Sequence, residues 1–259
     1  MATALVTGAT SGIGAAFARA LADRGWDLVL VARDESRLST EAERYRARGR
    51  RVEVLRADLS DRADVASVAE RLEDPARPID LLVNNAGFSV RAPLLSTDQE
   101  AHDRAFEVMM RAVQVLSGAA GRAMVQRGRG RIVNVGSTAG RITMGAYSAI
   151  KAWVTVFTEG LSNELAGTGV TAMALEPGWV RTEFHERAGI SGSSMPSALW
   201  LDADDLVASA LRDLSRGRVV STPSARYKAL MFLVRHGPRS GVRRVSKALS
   251  GRRRSSLPE

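Results

Sequence analysis

The sequence predicts an α/β fold built on one doubly wound parallel sheet. Two observations carry this. Short apolar runs alternate with amphipathic helical stretches along the chain, the pattern of repeated strand–helix units. The first run, TALVT at 3–7, passes straight into the glycine-rich turn GATSGIG and then a helix pattern, AAFARALADRG. No low-complexity linker or internal repeat divides the 259 residues. Residues 1–222 therefore read as a single domain, followed by a distinct extension over 223–259.

In the first turn, Gly8, Gly12 and Gly14 permit a tight bend and close backbone approach at a helix N-terminus. Free N–H groups and the helix dipole make such a place suited to phosphate. The spacing is G-x3-G-x-G rather than the common G-x-G-x-x-G. The second strand, DLVLVA, ends at Arg33, where a dinucleotide site for NAD wants an acid against the ribose hydroxyl. A cation there suits a 2′-phosphate, which argues for NADP over NAD, although Asp34 follows directly. A solvated surface arginine is the plainer reading of the same residue.

DESRLSTEAERYRARG is the next helix and RVEVLRADL the third strand, ending at Asp58 and Leu59. SDRADVASVAERLED is helical, with Ser60 the expected N-cap. IDLLVNNAG, the fourth strand, ends in Asn84, Asn85, Ala86 and Gly87. Asparagine has low β-propensity, so amides here either shape a ligand crevice or mark a turn. One long helix is expected over TDQEAHDRAFEVMMRAVQVLSGAAGRAMVQRG, opened by a capping box of Thr97 and Glu100. RIVNVGS is the fifth strand and VTAMALEPG the sixth. Residues 182–200, rich in Gly, Ser and Pro, are expected to form a lid. DADDLVASALRDLSRG is a helix capped by Asp202, and RVVST a last short strand.

The stretch STAGRITMGAYSAIK at 137–151 carries the chemistry. Tyr147 and Lys151 are four apart and share a helix face. A neighbouring lysine is expected to lower the phenol's pKa and fit it for proton transfer. The loop back to Ser137 is long enough to bring that hydroxyl to the same substrate oxygen.

The chain has no cysteine, which excludes disulfides and thiolate nucleophiles and fits a reducing, cytoplasmic compartment. His102, His185 and His236 have no metal-ligand spacing, and no metal is expected. No apolar run is long enough to span a bilayer, and no basic n-region precedes the first strand. The net charge of +9 is confined to the tail: residues 224–259 hold ten basic residues and one acid. The rest is neutral, so the high pI does not argue for a nucleic-acid partner.

TGATSGIG at 7–14, Asp58, NNAG at 84–87, Ser137, YSAIK at 147–151 and PGWVRT at 177–182 come in one order along the chain. In that set the chain resembles the classical short-chain dehydrogenase/reductase family. The resemblance implies one Rossmann-type domain of seven parallel strands with helices on both faces. It implies an oxidoreductase moving a hydride between NADPH and a carbonyl. Ser137 would hold the substrate carbonyl, Tyr147 donate the proton, and Lys151 hold the nicotinamide ribose. Cofactor contacts would come from Gly8, Thr10, Ser11, Gly12, Ile13 and Gly14 in the first turn, and from Arg33, Asp58 and Leu59 near the adenosine. Asn84, Ala86 and Gly87 would line the ribose side, and Pro177, Gly178, Val180 and Thr182 the nicotinamide amide. The resemblance also implies a homo-oligomer. It departs at Met109, where the family carries an asparagine that helps hold the water feeding protons to the lysine. A catalytically weak NADP-binding sensor or scaffold is therefore the alternative to a reductase.

Apolar positions such as Phe88, Val90, Trp179, Phe184, Met195 and Trp200 suggest a lipophilic ketone, ketoacyl or steroid-like. In the tail, Tyr227, Leu230, Met231 and Val234 form a helical stripe flanked by arginine and lysine. Such a helix can lie on an anionic membrane, or its stripe can cover the pocket or a subunit interface.

Overall fold

The computed structural model describes residues 1–90, 92–182, 197–238, 240, 241, 243 and 246. Most of the expected lid, with Phe184, His185 and Met195, lies outside the described residues, as does most of the chain beyond Pro238.

Seven strands form one parallel sheet: β1 (Thr3–Thr7), β2 (Asp27–Ala32), β3 (Val52–Arg56), β4 (Leu81–Asn84), β5 (Gly130–Val135), β6 (Val170–Leu175) and β9 (Val220–Ser221). Their order is β3-β2-β1-β4-β5-β6-β9, with the reversal between β1 and β4. This is the doubly wound Rossmann-type arrangement the sequence predicts. Two further short strands, β7 (Trp179–Val180) and β8 (Trp200–Leu201), pair with each other in parallel.

The period of two in a strand divides the core into two layers. In β2, Leu28 and Leu30 pack with Phe17 and Leu21 of α1 (Gly12–Asp23), with Leu38 of α2 (Glu35–Arg46) and with Leu206 of α7 (Ala203–Ser215). Val29 and Val31 face the other layer, with Val65 and Leu72 of α3 (Arg62–Glu73) and Leu116 of α5 (Ala112–Gln126). Ile150 of α6 (Gly145–Glu164) joins that second layer. Strands buried on both faces read as unbroken apolar runs, which is why TALVT and DLVLVA match β1 and β2 residue for residue.

Three local expectations are corrected. The cap of α3 is Asp61, whose carboxylate accepts from the Ala63 N–H, while Ser60 bonds instead to Asp58. The Thr97–Glu100 capping box does not form, because Asp98 caps α4 (Gln99–Phe106) by accepting from the Ala101 N–H. The single long helix is split: a π-turn over Glu107–Arg111 joins α4 to α5. Asp202 does cap α7, accepting from the N–H groups of Asp204 and Asp205.

The tail begins with α8 (Ala225–His236). Tyr227 is fully buried and Met231 and Val234 half-buried, but Leu230 of the expected stripe is exposed.

Candidate active site

The ends of β1 to β6 open into one cleft of about 990 Å³. It lies where strand order reverses, as expected for an open parallel sheet.

One wall is the turn after β1. Gly8 and Gly12 both adopt left-handed backbone, and Thr10, Ser11 and Ile13 reach the cleft with them. Gly14 does not line the cleft; it lets α1 close on the turn. A Cβ on Gly14 would stand 2.2 Å from the Gly8 carbonyl oxygen. Ser11, the N-cap of α1, makes no side-chain capping bond. The helix N-terminus thus faces the cleft without a capping side chain of its own.

Asn85 holds this turn to β4. Its amide donates to the Thr7 carbonyl at 2.9 Å, and its N–H donates to the Thr7 hydroxyl at 2.9 Å. Ala86 and Gly87 then line the cleft. Asn84 turns away from it. Its amide donates to the Ser117 hydroxyl at 3.0 Å and to the Asn134 carbonyl oxygen at 2.9 Å. Asn134 in turn donates to Thr158, so β4, α5, β5 and α6 share one buried polar network. The requirement for an amide at position 84 is met in the interior, where a polar group without partners is costly.

At the far end, Arg33 follows β2 with its side chain 61% exposed, near Asp58 at 3.9 Å. Arg37, on the first turn of α2, lines the same end, as do Leu59 and Arg104. Burial alone would raise the Asp58 carboxyl, but the Ser60 N–H and hydroxyl, with Arg33 and Arg104, hold it below the usual range. Sequence reasoning missed Arg37 and Arg104, which lie outside any local motif.

The opposite wall carries Ser137, Tyr147 and Lys151. Ser137 leaves β5 and caps the 3₁₀ turn Thr138–Arg141 by accepting from the Ala139 N–H. That turn is pinned to the end of β6, since Thr138 donates to Pro177 and Arg141 pairs with the buried Glu176. Tyr147 and Lys151 lie one turn apart on α6, and the Ser137 and Tyr147 side chains are hydrogen-bonded.

The electrostatics differ from expectation. The Tyr147 phenol is pushed up to about 12 by burial, with the Ser137 bond opposing. Burial also lowers Lys151 to about 8. The expected lowering of the phenol by the lysine is not found. The ammonium stands 5.8 Å from the Tyr147 ring centroid and donates to the Val135 carbonyl at 2.7 Å. Met109, buried in the π-turn, and the Lys151 ammonium both approach Gly87: a Cβ there would lie 3.2 Å from the Met109 sulfur and 3.7 Å from Lys151 Nζ.

Pro177, Gly178, Val180 and Thr182 line the cleft after β6. The Gly178 backbone rests against the Tyr227 ring, which a Cβ would meet at 2.1 Å. The Tyr227 hydroxyl accepts from the Trp179 N–H at 2.9 Å and donates to the Leu199 carbonyl at 2.8 Å. Ser246, also buried, accepts from the Thr143 N–H in the loop before Tyr147. The tail thus docks on the segment after β6 and on the loop before Tyr147.

The short chain dehydrogenase family model matches residues 2–190. The chain belongs to the short-chain dehydrogenase family. As a short-chain dehydrogenase it is an oxidoreductase acting on CH–OH and C=O groups with a nicotinamide dinucleotide. It is 42% identical over 194 residues to a ketoacyl reductase assigned to the monensin polyketide synthase of Streptomyces virginiae, covering 71% of this chain and 72% of that one. A short-chain dehydrogenase from Sphingobium yanoikuyae, solved with NADPH, is 37% identical with a TM-score of 0.82, over 100% of this chain and 99% of that one. The bulky-bulky ketone specific alcohol dehydrogenase of Comamonas testosteroni is 33% identical with a TM-score of 0.78, over 94% and 95% of the two chains.

Proposed function

We propose that this short-chain dehydrogenase reduces a lipophilic ketone, of ketoacyl or bulky steroid-like class, to a secondary alcohol with NADPH. The observation that carries the reading is the meeting of Ser137, Tyr147 and Lys151 on one cleft wall, opposite a capless helix N-terminus. The cofactor supplies the hydride when bound. The protein supplies position and a proton. Ser137 holds the carbonyl oxygen, and Tyr147, neutral at physiological pH, donates the proton to it. Lys151 is still largely protonated at pH 7 and holds the ribose hydroxyls.

The rest of the cleft fits a dinucleotide. Gly8, Thr10, Ser11, Gly12 and Ile13 line the cleft at the N-terminus of α1, whose N–H groups suit a diphosphate. Arg33 and Arg37 suit a 2′-phosphate at the adenosine end, and Asp58 and Leu59 suit the adenine. Ala86 and Gly87 take the ribose side, while Pro177 to Thr182 take the amide. The relatives lean the same way: one is solved with NADPH, one is named for its specificity for bulky ketones and one is assigned as a ketoacyl reductase.

One observation favours a weaker catalyst. Met109 puts a thioether against Gly87, which the Lys151 ammonium also approaches, where a group able to hold water would serve proton return better. A Tyr147→Phe variant separates the readings. Ketone reduction should fall by roughly 10²–10⁴-fold with NADPH affinity retained. Tight NADPH binding without turnover in the unaltered protein, on any ketone of a broad panel, would leave only the binding role.

A further inference from the structure

The face of α8 turned away from the cleft has a composition that the catalytic reading does not use. Tyr227 fixes how the helix is rotated, because its ring and hydroxyl are locked against Gly178, Trp179 and Leu199. Met231 and Val234 follow Tyr227 on the inner side. At 3.6 residues per turn, Ala229, Phe232 and Leu233 then lie opposite. Phe232 is 63% exposed, Leu233 67% and neighbouring Leu230 43%. Phe232 is steadied by the His236 ring, at 4.4 Å between centroids.

Cations border this crest on both sides. Lys228 and Arg235 lie along one flank and Arg226 along the other, all exposed. No acid occurs between Ser224 and Pro258, in a protein whose first 223 residues are neutral. A solvated helix face has no need of adjacent exposed Phe and Leu. A contact with a second neutral body would gain nothing from one-signed charge. Apolar side chains between cations match a surface that is oily within and anionic at its rim.

We propose that the outer face of α8 docks on an anionic lipid bilayer, with Phe232 and Leu233 entering the headgroup–acyl boundary and Arg226, Lys228 and Arg235 meeting lipid phosphates. Among the described residues no helix is long and apolar enough to cross a membrane, so the contact is one of lying on the surface. The inner face of the same helix touches Gly178 and Trp179, which line the cleft. The bilayer would therefore lie about one helix diameter, ~10 Å, from the cleft wall.

The test is co-sedimentation of the full chain with phosphatidylglycerol–phosphatidylcholine vesicles and with phosphatidylcholine alone. Binding to the anionic vesicles only is expected, with loss at about 1 M salt, where the screening length falls to ~3 Å. A Phe232→Ser, Leu233→Ser double variant and a Lys228→Glu, Arg235→Glu double variant should each lower partitioning at least about tenfold. Thermal melts confirm that both remain folded. Absence of sedimentation overturns the proposal, as does equal binding by all forms. So does a fall in oligomer size on gel filtration for the serine variant, which would assign the face to a second copy of the chain.

Discussion

A lysine held away from water, as Lys151 is, carries a charge the fold must accommodate, and burial lowers it from 10.5 to about 8. Between those values the unfolded chain binds more protons than the folded one, so stability rises with pH across that window. Near pH 7 the penalty is on the order of 3 kcal/mol. Lys151→Met escapes it. The variant should melt above the unaltered protein by roughly 6–12 °C at pH 7, and the gap should close as pH approaches 10. A gap independent of pH would mean that the ammonium is solvated. Tyr147 has the opposite sign: its folded pKa of about 12 exceeds 10, so its contribution is lost only above pH 10 and does not blur the comparison. Met109 shares the same small space. If its thioether limits proton return to Lys151, Met109→Asn should raise kcat and leave KM and NADPH affinity unchanged. These residues were legible because they are local, one helical turn and one loop apart. The sign of the phenol's pKa was not, because burial is a property of the assembled cleft.

At the scale of elements, the strands could be read and the joints between them could not. Runs such as DLVLVA are apolar because both faces are covered. The caps at Asp61 and Asp98 slipped one residue from expectation because good capping side chains stand next to each other there. The π-turn at Glu107–Arg111 has no local composition that marks it. The contact between Tyr227 and the Gly178–Trp179 segment joins residues about fifty apart in sequence, which no short window can reveal. That contact is testable from both sides. Gly178→Ala forces a Cβ into the Tyr227 ring, and overpacking of this kind costs about 1–3 kcal/mol. Tyr227→Phe removes the acceptor of the Trp179 N–H and the donor to Leu199, a loss of about 1–3 kcal/mol. In steady-state assays both should weaken NADPH affinity as well as raise KM for the ketone, since Gly178 and Trp179 line the cleft in the segment that takes the nicotinamide amide. Unchanged affinity for both ligands would assign Tyr227 to general stability instead. Asp202→Ala offers a control remote from the cleft chemistry, costing about 1 kcal/mol through the lost cap of α7.

For the whole molecule, sequence composition separates a neutral α/β body from a basic tail, and two residues of that tail pack into the body. Tyr227 and Ser246 belong to the tail by sequence and to the interior by burial. Two truncations distinguish charge from structure. A chain ending at Thr222 loses the Tyr227 ring from its interior, at about 3–5 kcal/mol by analogy with other buried aromatics. Its melting temperature should fall by roughly 10 °C. A chain ending at Ser246 loses Lys247 and Arg252 to Arg254 but keeps both buried residues. It should melt with the full chain and reduce ketones at the same rate, while binding anionic surfaces less tightly and with a shallower salt dependence. Were the two truncations to lose stability alike, the last thirteen residues would be part of the folded body, and the basic end could not be a free surface for lipid.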